Sequence, residues 1–316
     1  MKMVMTIAAA LVIVLVLAVG AFVALTWAPE LRVDDLKARW APPPSQFVDV
    51  AGMQVHVRDE GPRDDPAPLV LMHGTGSSLH AWDGWVDALK DKKRIIRFDL
   101  PGFGLTGPSP DNRYSVDNDV RVMFALLDKL GVQRCITGGN SLGGAVAWRA
   151  ALAEPSRVEK LILVDAGGYP FHSASVPIGF QLLRIPGVNW LLQHTLPRFL
   201  VEQGARNVFG DPDRVQPEMI ERSIQLTQRQ GNRRALLERA RQRPTQSFAS
   251  RIPELKLPTL IIWGGRDRLI PPEDAHRFHN DIAGSTLVIF DDLGHAPEEE
   301  DPQRSVVPVR TFLGLE

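Results

Sequence analysis

Six short apolar runs, each ending in a polar or glycine-rich turn, constrain this chain more than any other feature. Leu69–Met72 runs into His73-Gly74-Thr75-Gly76, and Ile95–Phe98 into Asp99-Leu100-Pro101-Gly102-Phe103-Gly104. Cys135–Thr137 runs into Gly138-Gly139-Asn140-Ser141-Leu142-Gly143-Gly144, and Leu161–Val164 ends at Asp165. Leu260–Trp263 leads to Gly264-Gly265-Arg266-Asp267, and Leu287–Phe290 to Asp291-Asp292-Leu293-Gly294-His295. Helical stretches such as Val116–Leu130 and Leu142–Leu152 lie between them. Short apolar strands alternating with helices predict an α/β fold whose mostly parallel sheet is covered on both faces. Function in such sheets collects at the carboxyl ends of the strands, where every one of these polar clusters sits. Upstream, Phe47–Val50 and Gln54–Arg58 flank Gly52 and read as a hairpin.

The rhythm fails in two places. From Tyr169 to about Lys256 the chain is proline-punctuated and helical, with Arg198–Phe209, Pro217–Gln230 and Asn232–Arg243 as its helices. Residues 169–257 therefore read as a helical cap inserted into a core made of 46–168 and 258–316. The cap carries 13 Arg+Lys against 7 Asp+Glu, and twelve of the cations are arginine. Intrahelical ion pairs on solvated faces are the plain reading. A surface toward anionic lipid headgroups or an acidic substrate is the sharper one. Leu182-Leu183, Ile185, Trp190-Leu191-Leu192 and Phe199-Leu200 either pack the cap or line an acyl pocket.

The other exception is the start. Lys2 precedes an uncharged run from Met3 to Pro29 whose centre is almost wholly Ala, Val, Leu and Ile. As a helix this run reaches roughly 40 Å, enough to cross a bilayer of about 30 Å. It exceeds the 7–15 apolar residues usual in a cleaved signal. Residues 1–29 are expected to form a single-pass membrane anchor, with a signal segment as the alternative. Arg32, Lys37 and Arg39 follow the run, and counting cations alone favours a cytoplasmic body. A short basic N-terminus ahead of a long apolar run favours export, and an extracytoplasmic body is expected. Residues 30–45 read as a linker in which Ala41-Pro42-Pro43-Pro44 is non-helical and stiff.

Gly139-Asn140-Ser141-Leu142-Gly143 matches G-x-S-x-G. Its context, an apolar strand before and a helix after, is what gives the match weight. The nucleophile must sit on a strained strand-to-helix turn, with small flanking residues that let backbone approach closely. A helical N-cap serine is the bland alternative. No Gly-Lys-[Ser/Thr] follows, which argues against a phosphate loop. A serine hydroxyl needs a base, and the base needs an orienting acid. Of eight histidines, His295 lies in a Gly-His turn after the last strand and is the expected base. His73 reads as a structural partner of its own turn, and His276 and His279 as surface residues. His56, His80, His172 and His194 have no supporting pattern. Asp267 is the expected acid and Asp165 its rival, since both follow strands. Asp99 and Asp291 read as turn formers. The order Ser141, Asp267, His295 is the one expected for this architecture.

Five motifs, His73-Gly74-Thr75-Gly76, Asp99-Leu100-Pro101-Gly102-Phe103-Gly104, Gly139-Asn140-Ser141-Leu142-Gly143-Gly144, Gly265-Arg266-Asp267 and Gly294-His295, together resemble those of α/β-hydrolase-fold enzymes, in the capped branch that includes esterases, haloperoxidases and C–C hydrolases. The resemblance covers about Phe47 to Leu313. It implies an eight-stranded sheet and an oxyanion hole made by the backbone N–H groups of Thr75 and Leu142. In some relatives the acid stands at the position matching Asp165. Dehalogenases and epoxide hydrolases of the family carry aspartate where Ser141 stands, so serine implies acyl or C–C hydrolysis. C–C hydrolases of the branch often have an aromatic residue after the histidine; here Ala296-Pro297 follows.

The expected activity is a two-step acyl transfer on a small carboxylic ester. Cleavage of a diketone-like C–C bond and a non-catalytic ligand-binding role are the alternatives. The mechanism calls for no cofactor and no metal. Net charge of −1 gives no reason to expect nucleic acid as a partner. A single cysteine, Cys135, excludes an internal disulfide. No sequence feature specifies an oligomeric state.

Overall fold

A computed structural model describes residues 2–170, 173–175, 181, 189–242 and 248–315. Its centre is an eight-stranded sheet in the order β1-β2-β4-β3-β5-β6-β7-β8. The strands are β1 (Gln46–Val50), β2 (Met53–Glu60), β3 (Leu69–Met72), β4 (Ile95–Phe98), β5 (Cys135–Asn140), β6 (Val158–Val164), β7 (Thr259–Gly264) and β8 (Thr286–Phe290). The hairpin β1–β2 is antiparallel, as is β2 against β4; every other pair is parallel.

Alternation along each buried strand divides its side chains between two cores. Val70 and Met72 face α4 (Val116–Lys129) and α5 (Leu142–Ala153), while Leu69 and Leu71 face the layer of α3 (Asp83–Leu89). The sheet is thus hydrophobic on both sides, which explains why its strands read as continuous apolar runs. β5 extends three residues beyond the apolar run expected for it. Gly138, Gly139 and Asn140 give no hydrophobic signal, yet their backbone pairs with β3 or β6.

Register brings the strand ends together. Met72 pairs with Gly139, Asn140 with Val164, Val164 with Ile262, and Gly264 with Phe290. The turns carrying Gly74, Ser141, Asp165, Asp267 and His295 therefore leave one edge of the sheet side by side.

Between β6 and β7 lie α6 (Asn189–His194), α7 (Arg198–Val208), α8 (Pro217–Gln228) and α9 (Asn232–Arg241). This insertion is fastened to the core. The Arg239 guanidinium donates to both oxygens of Asp119 on α4, at 2.7 and 3.0 Å, and to the Pro101 carbonyl. Asn232 Nδ2 donates to the Gly104 carbonyl at 2.9 Å.

At the other end, α1 (Lys2–Thr26) stands clear of the body, and from Met3 onward it is long and apolar enough to cross a bilayer. Its C-terminal end joins the insertion through Leu196 N–H to the Thr26 carbonyl and Ala28 N–H to the His194 carbonyl. The segment read as a linker contains a further helix, α2 (Val33–Trp40), which buries Leu36 and Trp40. The Trp40 indole donates to Gln225 on α8 at 2.7 Å. The 30–45 segment thus docks on the insertion rather than standing off as a simple spacer. Its apolar spacing, Leu36 to Trp40, is one helical turn.

Candidate active site

Ser141 occupies the sharp turn between β5 and α5 with φ 54° and ψ −113°. A non-glycine residue at positive φ is strained, and such strain is held only where the surroundings impose it. Here the imposition comes from close packing. A Cβ on Gly143 would collide with the Met72 carbonyl, and one on Gly139 with the backbone of Gly143. The Ser141 side chain makes no capping hydrogen bond to α5, so the N-cap alternative has no support. Ser141 lines a cavity of about 1460 Å³ together with Gly74, Thr75 and His295.

His295 and Asp267 meet directly. His295 Nδ1 lies 2.7 Å from Asp267 Oδ2. The other carboxylate oxygen of Asp267 accepts from Leu269 N–H at 2.7 Å and Ile270 N–H at 3.1 Å. With Nδ1 engaged, Nε2 is the nitrogen left for chemistry. The Ser141 hydroxyl and His295 share the cavity wall without a direct hydrogen bond among the described residues. Such pairs commonly tighten only when substrate is bound.

Asp165 stands beside this pair without contacting the imidazole by a hydrogen bond. Its Oδ1 accepts from Gly264 N–H at 2.9 Å, and its Oδ2 has no partner. Burial, and then the neighbouring Asp267 charge, push the Asp165 carboxyl well above the usual carboxylate range. Oxygens of both aspartates and a ring nitrogen of His295 fall within 4.8 Å of one another. That spacing would also suit a cation, but Asp267 Oδ2 and His295 Nδ1 are already engaged with each other.

The His73-Gly74 turn lies against Ser141. A Cβ built on Gly74 would come within 3.2 Å of the Ser141 Cβ. The backbone N–H groups of Thr75 and Leu142 have no protein acceptor among the described residues. His73 itself is buried and holds the turns: Leu100 N–H donates to its Nε2 at 3.0 Å, and its Nδ1 faces the Gly74 carbonyl at 2.7 Å. Burial lowers its pKa, so it is neutral. His276 and His279 are exposed on α10 (Glu273–Asp281).

Several contributors escaped the sequence reading. Asn140 Nδ2 donates to the His295 carbonyl at 2.7 Å. Glu300 accepts from Gly294, Gly210 and Asp211 N–H groups, tying the histidine loop to the insertion. The Glu298-Glu299-Glu300 run after the Gly-His turn was the available signal. Asp99 is more than a turn former: it accepts from Leu79 and Leu105 N–H groups and meets His56 Nδ1 at 2.7 Å. His56, given no role from sequence, is therefore a buried brace of that loop.

Ion pairing accounts for most of the cap's arginines. Arg198 pairs with Glu221, Arg214 with Asp301, Arg222 with Glu299 and Arg241 with Glu238. Leu192 and Leu200 line the cavity, whereas Trp190 and Phe199 are exposed. Leu182, Leu183, Ile185 and His172 lie outside the described residues.

This combination of sheet order, strand-end turns and helical insertion defines a hydrolase architecture. Residues 67–302 match the alpha/beta hydrolase fold family, and the chain belongs to it. The 2-hydroxymuconate semialdehyde hydrolase of Pseudomonas sp. (strain CF600) is 30% identical over 273 residues, covering 83% of this chain and 91% of that protein. An esterase from Thermogutta terrifontis superposes with a TM-score of 0.70 at 26% identity, covering 85% of this chain and 97% of the other. A bacterial membrane phospholipase A shares the fold over 99% of this chain and 98% of its own, with a TM-score of 0.73 at 23% identity. The protein is a hydrolase-fold member whose relatives include esterases and C–C hydrolases.

Proposed function

We propose that this protein is a serine hydrolase of carboxylic esters, with Ser141 as nucleophile, His295 as base and Asp267 as the orienting acid. The observation that carries this reading is the strained Ser141 turn opening into a cavity that His295 borders, with Asp267 hydrogen-bonded behind His295. Ser141 attacks the ester carbonyl while His295 Nε2 takes its proton. Asp267 keeps Nδ1 protonated and stabilises the imidazolium that forms. The Thr75 and Leu142 N–H groups receive the oxyanion, a contribution often worth ~3–4 kcal/mol per donor. His295 then returns the proton to the departing alcohol, and water, activated by the same base, releases the acid.

The test is labelling of detergent-solubilised protein with a fluorophosphonate, wild type beside Ser141→Ala. Labelling of the wild type alone supports an activated serine. Equal labelling of both, or none of folded wild type, removes the reading and leaves ligand binding as the role.

Cleavage of a diketone-like C–C bond is a second reading, favoured by the 30% identity to 2-hydroxymuconate semialdehyde hydrolase. It predicts turnover of a vinylogous 1,5-diketone in preference to simple esters. We also read α1 as a membrane anchor for the body. Trp27 at its end stacks on His194 at 5.3 Å between ring centroids, and the exposed Trp190 lies beside them. Tryptophans grouped at the end of an apolar helix suit the membrane–water interface.

A further inference from the structure

Among the described residues, one charged side chain that lines the cavity above Ser141 has no ion-pair partner. Arg233, near the N-terminal end of α9, is only 5% exposed yet lines this cavity. Its Nε and Nη1 are buried without a partner, and it forms no ion pair among the described residues. The other cavity-lining arginines differ. Arg149 pairs with Asp117, Arg222 with Glu299 through two bonds of 2.7 and 2.9 Å, and Arg241 with Glu238. Glu30, the carboxylate that influences Arg233 electrostatically, spends its Oε1 on the Gly231 N–H at 2.9 Å.

Burying an unpaired guanidinium is costly, so such groups are normally found paired. Arg233 lines a largely apolar cavity, and a guanidinium suits a planar or tetrahedral oxyanion through charge-assisted bonds. Leu226, Leu236 and Leu237 also line the cavity, the last two about one helical turn from Arg233 on α9. They supply a dry wall that strengthens a charge-assisted bond.

The geometry points to Arg233 as a specificity-determining anion site, receiving a carboxylate or phosphate group carried by the substrate while the ester lies at Ser141. This inference rests on the esterase reading for its turnover arm only. The site selects an amphiphilic ester with a distal negative charge: a half-ester of a dicarboxylic acid, or an acidic lipid whose headgroup supplies the phosphate. Arg233 acts through binding, so its removal raises KM for the anionic substrate more than it lowers kcat.

The experiment compares full-length wild type, Arg233→Gln and Arg233→Lys on p-nitrophenyl half-esters of succinate, adipate and suberate. Neutral p-nitrophenyl esters of matched length serve as the reference. In wild type the anionic substrates are preferred at one chain length. In Arg233→Gln the ratio of anionic to neutral kcat/KM falls at least tenfold, with the change in KM, and Arg233→Lys recovers part of it. A ratio unchanged in Arg233→Gln overturns the proposal. So does a loss that Lys fails to rescue while thermal unfolding shows both variants folded. Phosphatidic acid against phosphatidylcholine in mixed micelles separates the lipid source from the soluble one. A binding arm is independent of catalysis: calorimetry of adipate and of inorganic phosphate with Ser141→Ala, alone and combined with Arg233→Gln. At least tenfold weaker binding of adipate or phosphate in the double variant supports the site, and unchanged or absent binding of both overturns it. If wild type hydrolyses no ester while this arm holds, the esterase reading fails and the anion site stands.

Discussion

Asp165 and Asp267 present their carboxyls to the same buried corner, yet only Asp267 is hydrogen-bonded to His295, at 2.7 Å. The difference lies in what each loop supplies. Asp267 has two backbone N–H donors that favour its charge, whereas Asp165 has one donor and an unpartnered oxygen. Two adjacent carboxylates cannot ionise independently, and Asp165 is the one pushed toward its neutral form.

This asymmetry assigns separate outcomes to the two asparagine variants. Asp267→Asn should lower kcat by roughly 10³–10⁴-fold, because the amide stabilises the wrong imidazole tautomer. Asp165→Asn replaces a group that burial already pushes toward its neutral form and should stay within about tenfold of wild type. Steady-state hydrolysis of a p-nitrophenyl ester by both variants measures this, and the reverse ranking would transfer the acid role to Asp165.

Acid sensitivity should originate partly at His80. Burial lowers its pKa to about 3, and its ring bridges Ser78 Oγ at 3.0 Å and the Trp40 carbonyl at 2.9 Å. Because the unfolded state protonates near 6.5 and the folded state does not, the unfolded state binds more protons between those values. Stability therefore falls as pH drops from about 6.5 toward 3. Denaturant unfolding at pH 7.5 and 5 should show this, and His80→Asn should shallow the slope. His73, also held neutral by burial, keeps the slope from vanishing.

Arg239 pins α9 to α4 through Asp119, and both side chains are buried. Arg239→Met leaves Asp119 without its counter-ion, at a cost of about 3–5 kcal/mol for a broken buried pair. Burial already lifts the Asp119 carboxyl against the pull of Arg239. In the variant the folded state holds that proton above pH 4 more tightly than the unfolded chain does. The loss should thus be larger at pH 8 than at pH 5, as read by denaturant midpoints.

Removal of residues 2–26 tests the anchor. The full chain should remain with membranes through an alkaline carbonate wash, and the truncated chain should appear in the supernatant. Release of the full chain by the wash would leave α1 as a signal segment.

Much of the candidate site was legible because its backbone demands are local. The turn after β5 needs small residues at Gly139 and Gly143, and strand-end placement pointed to Ser141, to His295 and to two rival aspartates, Asp267 and Asp165. The supports were not legible for the opposite reason. Asn140 reaches the His295 carbonyl across 155 positions of sequence, and Arg239 reaches Asp119 across 120. Nothing in the local pattern marks either end of such a contact. Helix α2 was hidden by its brevity: eight residues carry too few apolar positions to separate a docked helix from a polar linker.

By itself the sequence determined the α/β class, the sharp turn that carries Ser141, the helical insertion and the apolar N-terminal segment. Each follows from hydrophobic periodicity or backbone demands acting within a few residues. Only the tertiary structure decided which aspartate faces His295, which arginines are neutralised, and that Arg233, among the described residues lining the cavity, stays without an ion pair. Pairing and desolvation depend on what chain folding brings within a few ångströms, and charge composition carries no record of those partners.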